Sequence, residues 1–281
     1  MGEDMTTPPM QLARRRGLLR AVVILTAFLG LVAALGLKLP QQTAAGSPDS
    51  STGDDGSAIR RYLLAHPEVI LEAIERWQAA QQKAVQENQA RRIGAVWPEL
   101  ANDGFSPVIG PADAPVTVIE YYDYRCPYCR RAHRDSKRLI QEFKGRIRYV
   151  FKQFPVIDRP GEPAISAFAS KGAVAAYRQG CFPAYHDALM EASGGLSKER
   201  ILKLAEKAGC DIARLKRDMA DPAIANYLEQ TIAHAHTIGI AGTPTYVINR
   251  RLLEGAVGWK QLKAAVEESL KEAGAGREKG G

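Results

Sequence analysis

The chain has 281 residues, of which 25% are charged and 46% hydrophobic, and its formal net charge is +7. This composition excludes a disordered or collagen-like chain, and 4 cysteines are too few to replace a core in a disulfide-stapled scaffold. Only one apolar run is long enough to cross a bilayer, which excludes a multi-span membrane protein. Part of the positive charge lies in residues 1–40, and no aromatic residues alternate with basic ones, so no nucleic-acid partner is predicted.

The first predicted element is an apolar helix over residues 21–39. Residues 21–37 carry no charge, and this length suits a membrane span better than the shorter core of a secretory signal. Basic residues precede the run, and only Lys38 follows it closely, so residues 1–20 are predicted to be a cytoplasmic tail. We expect a single-pass anchor in a bacterial inner membrane with the remaining chain in the periplasm. The alternative is a signal peptide whose cleavage releases the chain from residues 1–45.

A linker and a helical stalk are predicted to follow. Residues 40–57 are rich in Gly, Ser and Asp, which indicates a flexible linker. Apolar residues then recur at helical spacing over residues 58–100, and Pro67 marks the start of a second helix. An apolar stripe outside the main domain must be buried somewhere. We therefore predict a homo-oligomer formed through this stalk, with folding back onto the chain's own domain as the alternative.

A Cys-x-x-Cys motif stands at a predicted strand-to-helix junction. The run VTVIEYY has the composition of a strand, and residues 130–144 have a helical apolar pattern. Cys126 therefore lies at a helix start, where unpaired N–H groups favour a negative charge. Its thiolate is expected to be stabilised and to attack, with Cys129 as the resolving thiol.

A metal site is the competing interpretation of this cysteine pair. A structural zinc site needs two further ligands in a matching pair, whereas the other cysteines are single and the histidines show no regular spacing. Redox chemistry without a metal or cofactor is therefore predicted. A copper-tolerance protein that binds Cu(I) through the cysteine pair is kept as an alternative function.

Several segments resemble the DsbA family of thioredoxin-fold oxidoreductases. They are residues 118–129 around the cysteine pair, residues 242–249 (GTPTYVIN) and residues 179–189. The stalk segment 59–77 further resembles the N-terminal region of ScsC-type proteins, the copper-resistance branch with oligomerising stalks. The resemblance implies a thioredoxin-like α/β fold.

The resemblance also implies a domain plan. The thioredoxin-like domain is expected over residues 105–273, with a helical insertion at about residues 160–235. Residues 274–281 are expected to be a disordered tail.

The resemblance further assigns site residues by position. Cys126 and Cys129 would be the redox pair, with Pro127 and Tyr128 as the dipeptide between them.

Two more features of the family match positions in this chain. Thr243 and Pro244 would form the cis-proline loop, beside which a substrate strand can pair. Glu120 lies six residues before Cys126, where the family carries a buried acid that would shuttle the proton of the resolving thiol. An ordinary strand-edge carboxylate is the alternative for Glu120.

Cys181 and Cys210 lie in the predicted helical insertion. An even cysteine count in an oxidising compartment suggests pairing, and some members of the family carry a second, structural disulfide in this region. The alternative is two buried free thiols that act as small apolar side chains.

The predicted function is that of a membrane-anchored thiol–disulfide oxidoreductase. Its partners would be unfolded or cysteine-containing exported proteins and a membrane redox partner. The direction is open at this point, because a monomer suits oxidation whereas a stalk-linked oligomer suits disulfide isomerisation or reduction.

Overall fold

The computed structural model describes residues 52–278, and the chain divides into two compact units, Met1–Glu72 and Ala73–Gly281. The predicted tail, the predicted anchor over residues 21–39 and most of the predicted linker lie outside the described residues. Between residues 52 and 278, no helix has the length and apolar character that crossing a membrane requires.

Three helices open the described part of the chain: α1 (Thr52–Ala65), α2 (Glu68–Ala95) and α3 (Trp97–Ala101). Helix α1 begins inside the segment predicted as a linker, so the predicted linker end at residue 57 was wrong. Asp55 lies near the N-terminus of α1, where a negative charge is favourable to the helix dipole. The first unit exposes large apolar side chains, namely Ile59, Tyr62, Leu64, Ile70 and Leu71.

The second unit is built on a sheet of five strands among its described residues, in the order β1-β3-β2-β4-β5. The strands are Val108–Ile109, Val116–Tyr122, Ile147–Gln153, Thr245–Ile248 and Arg251–Glu254. Strands β2 and β3 are parallel and are joined by helix α4 (Pro127–Glu142), as a strand–helix–strand crossover requires. The other neighbouring strands pair antiparallel.

The alternation of side chains along β2 divides the core of this unit into two layers. Val116 and Val118 face one layer, which contains residues of α4 and of the inserted helices. Ile119 faces the other layer, where it is clustered with Ile93 of α2 and Leu100 of α3. The end of the predicted stalk over residues 58–100 is therefore part of this unit, because its apolar side chains complete the second layer.

Within the described residues, five helices lie between β3 and β4: α5 (Ile165–Gln179), α6 (Phe182–Met190), α7 (Lys198–Lys207), α8 (Ile212–Met219) and α9 (Pro222–Thr237). They occupy the place where the helical insertion was predicted. The last three begin at side chains that accept a backbone N–H, Ser197, Asp211 and Asp221.

Helix α10 (Trp259–Glu278) ends the described chain. It continues past residue 273, so the prediction of a disordered tail from residue 274 was wrong for residues 274–278. The helix formers Lys271, Glu272 and Ala273 allow it to continue through the following glycines.

Candidate active site

The two cysteines of the Cys-x-x-Cys motif lie at the N-terminus of α4. Cys126 is the N-cap residue, with extended backbone angles, and Pro127 occupies the first helical position, where its missing N–H costs no hydrogen bond. The Cys126 side chain is almost covered, with 4% of the residue exposed, and Cys129 is fully buried. Both are free thiols. The structure thus brings the predicted pair together at the helix start.

The two thiols have opposite acidities. A hydrogen bond from the Cys129 side chain is the main cause that lowers the pKa of Cys126 to about 5. Hydrogen bonds from Thr243 and from backbone N–H groups lower the pKa further, against the opposing effect of burial. Burial, and then the hydrogen bond with Cys126, raises the pKa of Cys129 far above its usual range. Cys126 is therefore ionised at neutral pH while Cys129 keeps its proton.

The loop before β4 contacts the reactive sulfur through its backbone. The peptide bond between Thr243 and Pro244 is cis. Cys126 Sγ lies 3.3 Å from the Thr243 carbonyl oxygen, to which only the protonated thiol can donate. Thr245 Oγ1 donates to the Gly242 carbonyl at 2.8 Å, and a backbone N–H donates to the Pro244 carbonyl at 2.8 Å. These two bonds fix the loop on either side of the cis peptide.

Glu120 is a buried carboxyl group on the α4 side of the sheet. It is 2% exposed, and it accepts hydrogen bonds from the hydroxyls of Tyr149 at 2.7 Å, Tyr246 at 3.2 Å and Ser136 at 3.3 Å. Burial raises the pKa of Glu120 to about 7, against the three hydrogen bonds, which lower it. The side chain can therefore hold or release a proton near neutral pH, which an exposed strand-edge carboxylate would not do.

The dipeptide between the cysteines faces solvent. Pro127 is exposed, and 55% of Tyr128 is exposed. The guanidinium carbon of Arg131 lies 5.0 Å from the centroid of the Tyr128 ring, close enough for a cation–π contact. An aromatic ring with a basic neighbour thus borders the reactive sulfur.

Asp123 supports the turn that leads to Cys126, and sequence analysis missed it. Its side chain is fully buried and accepts the backbone N–H of Arg125 at 2.8 Å, the backbone N–H of Ile157 at 3.0 Å and the hydroxyl of Ser166 at 2.8 Å. Burial, followed by the charge of Asp158, raises its pKa. An Asp between a strand and a helix is the local signal that could have indicated such a turn.

An aromatic layer lies behind the cysteine pair and was also missed. The hydroxyls of Tyr122 and Tyr124 are 3.2 Å apart, and the Tyr124 hydroxyl lies 3.1 Å from His186 Nδ1. Burial, and after it the nearby charge of Lys137, keeps the pKa of His186 well below its usual value. His186 is therefore a neutral core residue, and nothing local in its sequence indicates that it meets Tyr124.

Cys181 and Cys210 form a disulfide in the helical insertion. Their sulfur atoms are 2.08 Å apart and their Cα atoms 5.6 Å apart. Cys181 precedes α6 and Cys210 follows α7, so the bond joins the ends of two helices.

Metal ligands are grouped at one place in the described residues. His133, Asp187 and Glu191 each offer one ligand atom, and these atoms lie within 4.8 Å of one another. Burial lowers the pKa of His133, against the charge of Asp187, so its imidazole is neutral at neutral pH.

Comparison with protein families decides the identity of the fold. Residues 102–268 match the family model described as Thioredoxin. The chain belongs to the thioredoxin family. Residues 56–84 match a second model, described as the copper resistance protein ScsC N-terminal domain. The predicted thioredoxin-like fold and the resemblance to DsbA-family, ScsC-like proteins are therefore confirmed.

Two solved structures illustrate the relationship of this thioredoxin-family chain. A thioredoxin-like oxidoreductase from Silicibacter pomeroyi is 36% identical, covers 62% of this chain and 97% of its own, and gives a TM-score of 0.57. The thiol-disulfide exchange protein alpha-DsbA2 from Wolbachia pipientis is 25% identical, covers 66% of this chain and 97% of its own, and gives a TM-score of 0.60.

The curated relatives are much longer than this thioredoxin-family chain. The Na(+)/H(+) antiporter NhaA 3 of Salinispora tropica is 34% identical over 159 residues, which are 57% of this chain and 24% of that protein. The chain thus spans about a quarter of the length of the curated relatives that it matches.

Proposed function

We propose that this chain is an exported thiol–disulfide oxidoreductase that exchanges a Cys126–Cys129 disulfide with cysteines of other exported proteins. One observation carries this proposal: an ionised, nearly covered thiol at a helix start lies beside a buried thiol that keeps its proton. Thiolate is the nucleophile and the better leaving group in disulfide exchange. The names of the similar oxidoreductase and exchange proteins support the same chemistry.

The reaction would run through a mixed disulfide at Cys126. In the oxidising direction, a substrate thiolate attacks Cys126 Sγ, the bond to Cys129 breaks, and Cys129 takes up a proton. A second substrate thiolate then attacks the substrate sulfur of the mixed disulfide, and Cys126 leaves as a thiolate. Glu120 would supply or accept the proton of Cys129, because its pKa of about 7 matches that task.

The cis-proline loop would hold the substrate. The Thr243 carbonyl already contacts Cys126 Sγ at 3.3 Å, so an extended peptide bound to this loop would lie beside the reactive sulfur. Tyr128 and Pro127 would border the same peptide. A membrane anchor over residues 21–39 would place this site in the periplasm near a membrane redox partner.

Two cysteine variants test the proposal. Cys126→Ala should abolish disulfide exchange with a reduced or scrambled model substrate, and Cys129→Ala should accumulate mixed disulfides at Cys126 that mass spectrometry can locate. The matched control is the Cys181→Ser/Cys210→Ser variant, which should still exchange. Full exchange activity in Cys126→Ala would refute the proposal.

Disulfide isomerisation or reduction by a stalk-linked oligomer is the second candidate function. It is favoured by the exposed Ile74 and Trp77 of α2 and by the match of residues 56–84 to the ScsC N-terminal model. An oligomer would present several redox sites to one misfolded substrate. Activity on a scrambled substrate that falls when the oligomer is dissociated would support this function over simple oxidation.

Cu(I) binding by the cysteine pair is a third candidate, favoured by the copper-resistance description of the same family model. Thiolates are soft ligands that select Cu(I). Copper stoichiometry on the reduced protein, compared with Cys126→Ser, discriminates this role from exchange.

A further inference from the structure

Helix α4 presents a histidine and a lysine to two acidic side chains at the end of α6. His133 and Lys137 are one turn apart on α4, and Asp187 and Glu191 are one turn apart at the end of α6. His133 Nε2 lies 3.1 Å from Asp187 Oδ1 and 3.6 Å from Glu191 Oε1. Lys137 Nζ bridges the same two carboxylates, at 2.8 Å from Asp187 and 3.1 Å from Glu191.

His133 is the unusual member of this cluster. Its side chain is only 5% exposed, and its Nε2 makes no hydrogen bond although the Asp187 oxygen is close. A buried polar atom without a partner is unfavourable, and two carboxylate oxygens lie within 3.6 Å of this one.

We propose that His133, Asp187 and Glu191 bind a divalent transition-metal cation of the Zn²⁺ class, with water completing the coordination. One imidazole nitrogen and two carboxylate oxygens are ligands that Zn²⁺ accepts, at about 2.0–2.2 Å each. Two such ligands at a tetrahedral angle are about 3.4 Å apart. The two distances from His133 Nε2, 3.1 and 3.6 Å, bracket that value.

Lys137 holds the place that the cation would take. Its side chain is 38% exposed, so its ammonium group can swing into solvent when a doubly charged ion replaces it. A cavity of about 160 Å³ adjoins the cluster and is lined by His133, Lys137 and Asp187 among both polar and apolar side chains. The cation would neutralise both carboxylates and satisfy His133 Nε2 at the same time.

Titration calorimetry with ZnCl₂ tests this site. The full chain is used with Cys126 and Cys129 oxidised to a disulfide, so that thiols do not bind the ion. We expect one Zn²⁺ per chain, and we expect His133→Gln and Glu191→Gln each to weaken binding at least about 10-fold. Glu191 is 60% exposed, so its variant retains the fold even if His133→Gln does not. Lys137→Met removes the competing ammonium and should tighten binding.

The matched control is His66→Gln. His66 Nδ1 also lies 3.1 Å from a carboxylate, that of Glu68, but this pair is exposed. Unchanged Zn²⁺ affinity in His66→Gln supports the buried site. No Zn²⁺ binding by the wild-type chain, equal weakening by His66→Gln, or an affinity that Lys137→Met leaves unchanged or lowers would each overturn the proposal.

Discussion

Replacing Glu120 with Gln should stabilise the protein at alkaline pH, because it removes the loss of unfolding free energy that ionisation of this buried carboxyl causes. The carboxyl is buried, and its pKa in the fold is raised from 4.5 to about 7. A raised carboxyl pKa means that the fold favours the protonated form. The stability that this group contributes is therefore complete below pH 4.5 and is lost as the pH rises through about 7.

The magnitude follows from the size of this shift. Each unit of pKa difference between the folded and unfolded states corresponds to about 1.4 kcal/mol. Between pH 5 and pH 8, a group that titrates near 7 in the fold and near 4.5 when unfolded lowers the free energy of unfolding by about 2.5 kcal/mol. Gln keeps the shape of the side chain and does not ionise, so the variant should lack this loss.

Urea unfolding at pH 5 and pH 8 measures the effect. The Cys126–Cys129 disulfide is kept oxidised so that no thiol titrates. From pH 5 to pH 8, the free energy of unfolding should fall by about 2.5 kcal/mol less in Glu120→Gln than in wild type. Glu254→Gln, at an exposed position on β5, is the matched control, and its free energy of unfolding should change with pH almost as in wild type. Equal pH dependence in wild type and Glu120→Gln would show that Glu120 does not titrate in this range and would refute the proton-shuttle role.

Three further predictions concern the rest of the molecule. Removing the Cys181–Cys210 disulfide with a double Ser variant should lower the free energy of unfolding by about 3–4 kcal/mol, because the bond closes a loop with a sequence separation of 29. An unchanged urea midpoint would contradict this prediction. The reduction potential of the redox pair should lie at about −210 mV. The thiol pKa is about two units below that of thioredoxin, which stabilises the reduced form and raises the potential by roughly 60 mV from about −270 mV. A potential at or below that of thioredoxin would contradict the lowered pKa of Cys126. If the stalk self-associates, Ile74→Glu should lower the mass measured by sedimentation, whereas Ala79→Glu on the opposite side of α2 should not. Equal masses for both variants and wild type would show that this face of α2 does not form an oligomer.

The strand, the cysteine pair and the following helix could be predicted because their signals are local. VTVIEYY has strand composition, and Pro127 suits the first position of a helix. The signal for the β4–β5 hairpin is local only in part, because Asn249 tolerates the left-handed backbone of the turn, with φ of 43°, whereas nothing local favours Arg250 at φ of 74°. The placement of Cys126 at the helix start follows from these signals alone.

Other parts of the site depend on residues far apart in the chain. Tyr124 and His186 meet although 62 residues separate them, and Tyr246 reaches Glu120 across 126 residues. No periodicity in a single sequence reports such contacts. The resemblance to a family predicted the role of Glu120, but its hydrogen-bonding hydroxyls became visible only in the folded chain.

The position at which the stalk joins the domain could not be predicted from the sequence, for a related reason. The helical pattern continues without a break to Ala95, so the sequence shows one helix where the structure shows a change of environment along it. Ile93 is buried against the sheet, whereas 63% of Trp77 is exposed on the same helix. Periodicity identifies an apolar face but not the surface that covers it.

The pH titration of the Cys126 thiolate tests most directly whether Cys126 is the attacking group. Ultraviolet absorbance of the reduced protein, with Cys126→Ser as the blank, follows the ionisation of this one sulfur. We expect a midpoint near pH 5, because the Cys129 thiol, Thr243 and the helix-start N–H groups all stabilise the thiolate. A midpoint near that of a free cysteine, about 8.5, would contradict the assignment of Cys126 as the attacking group.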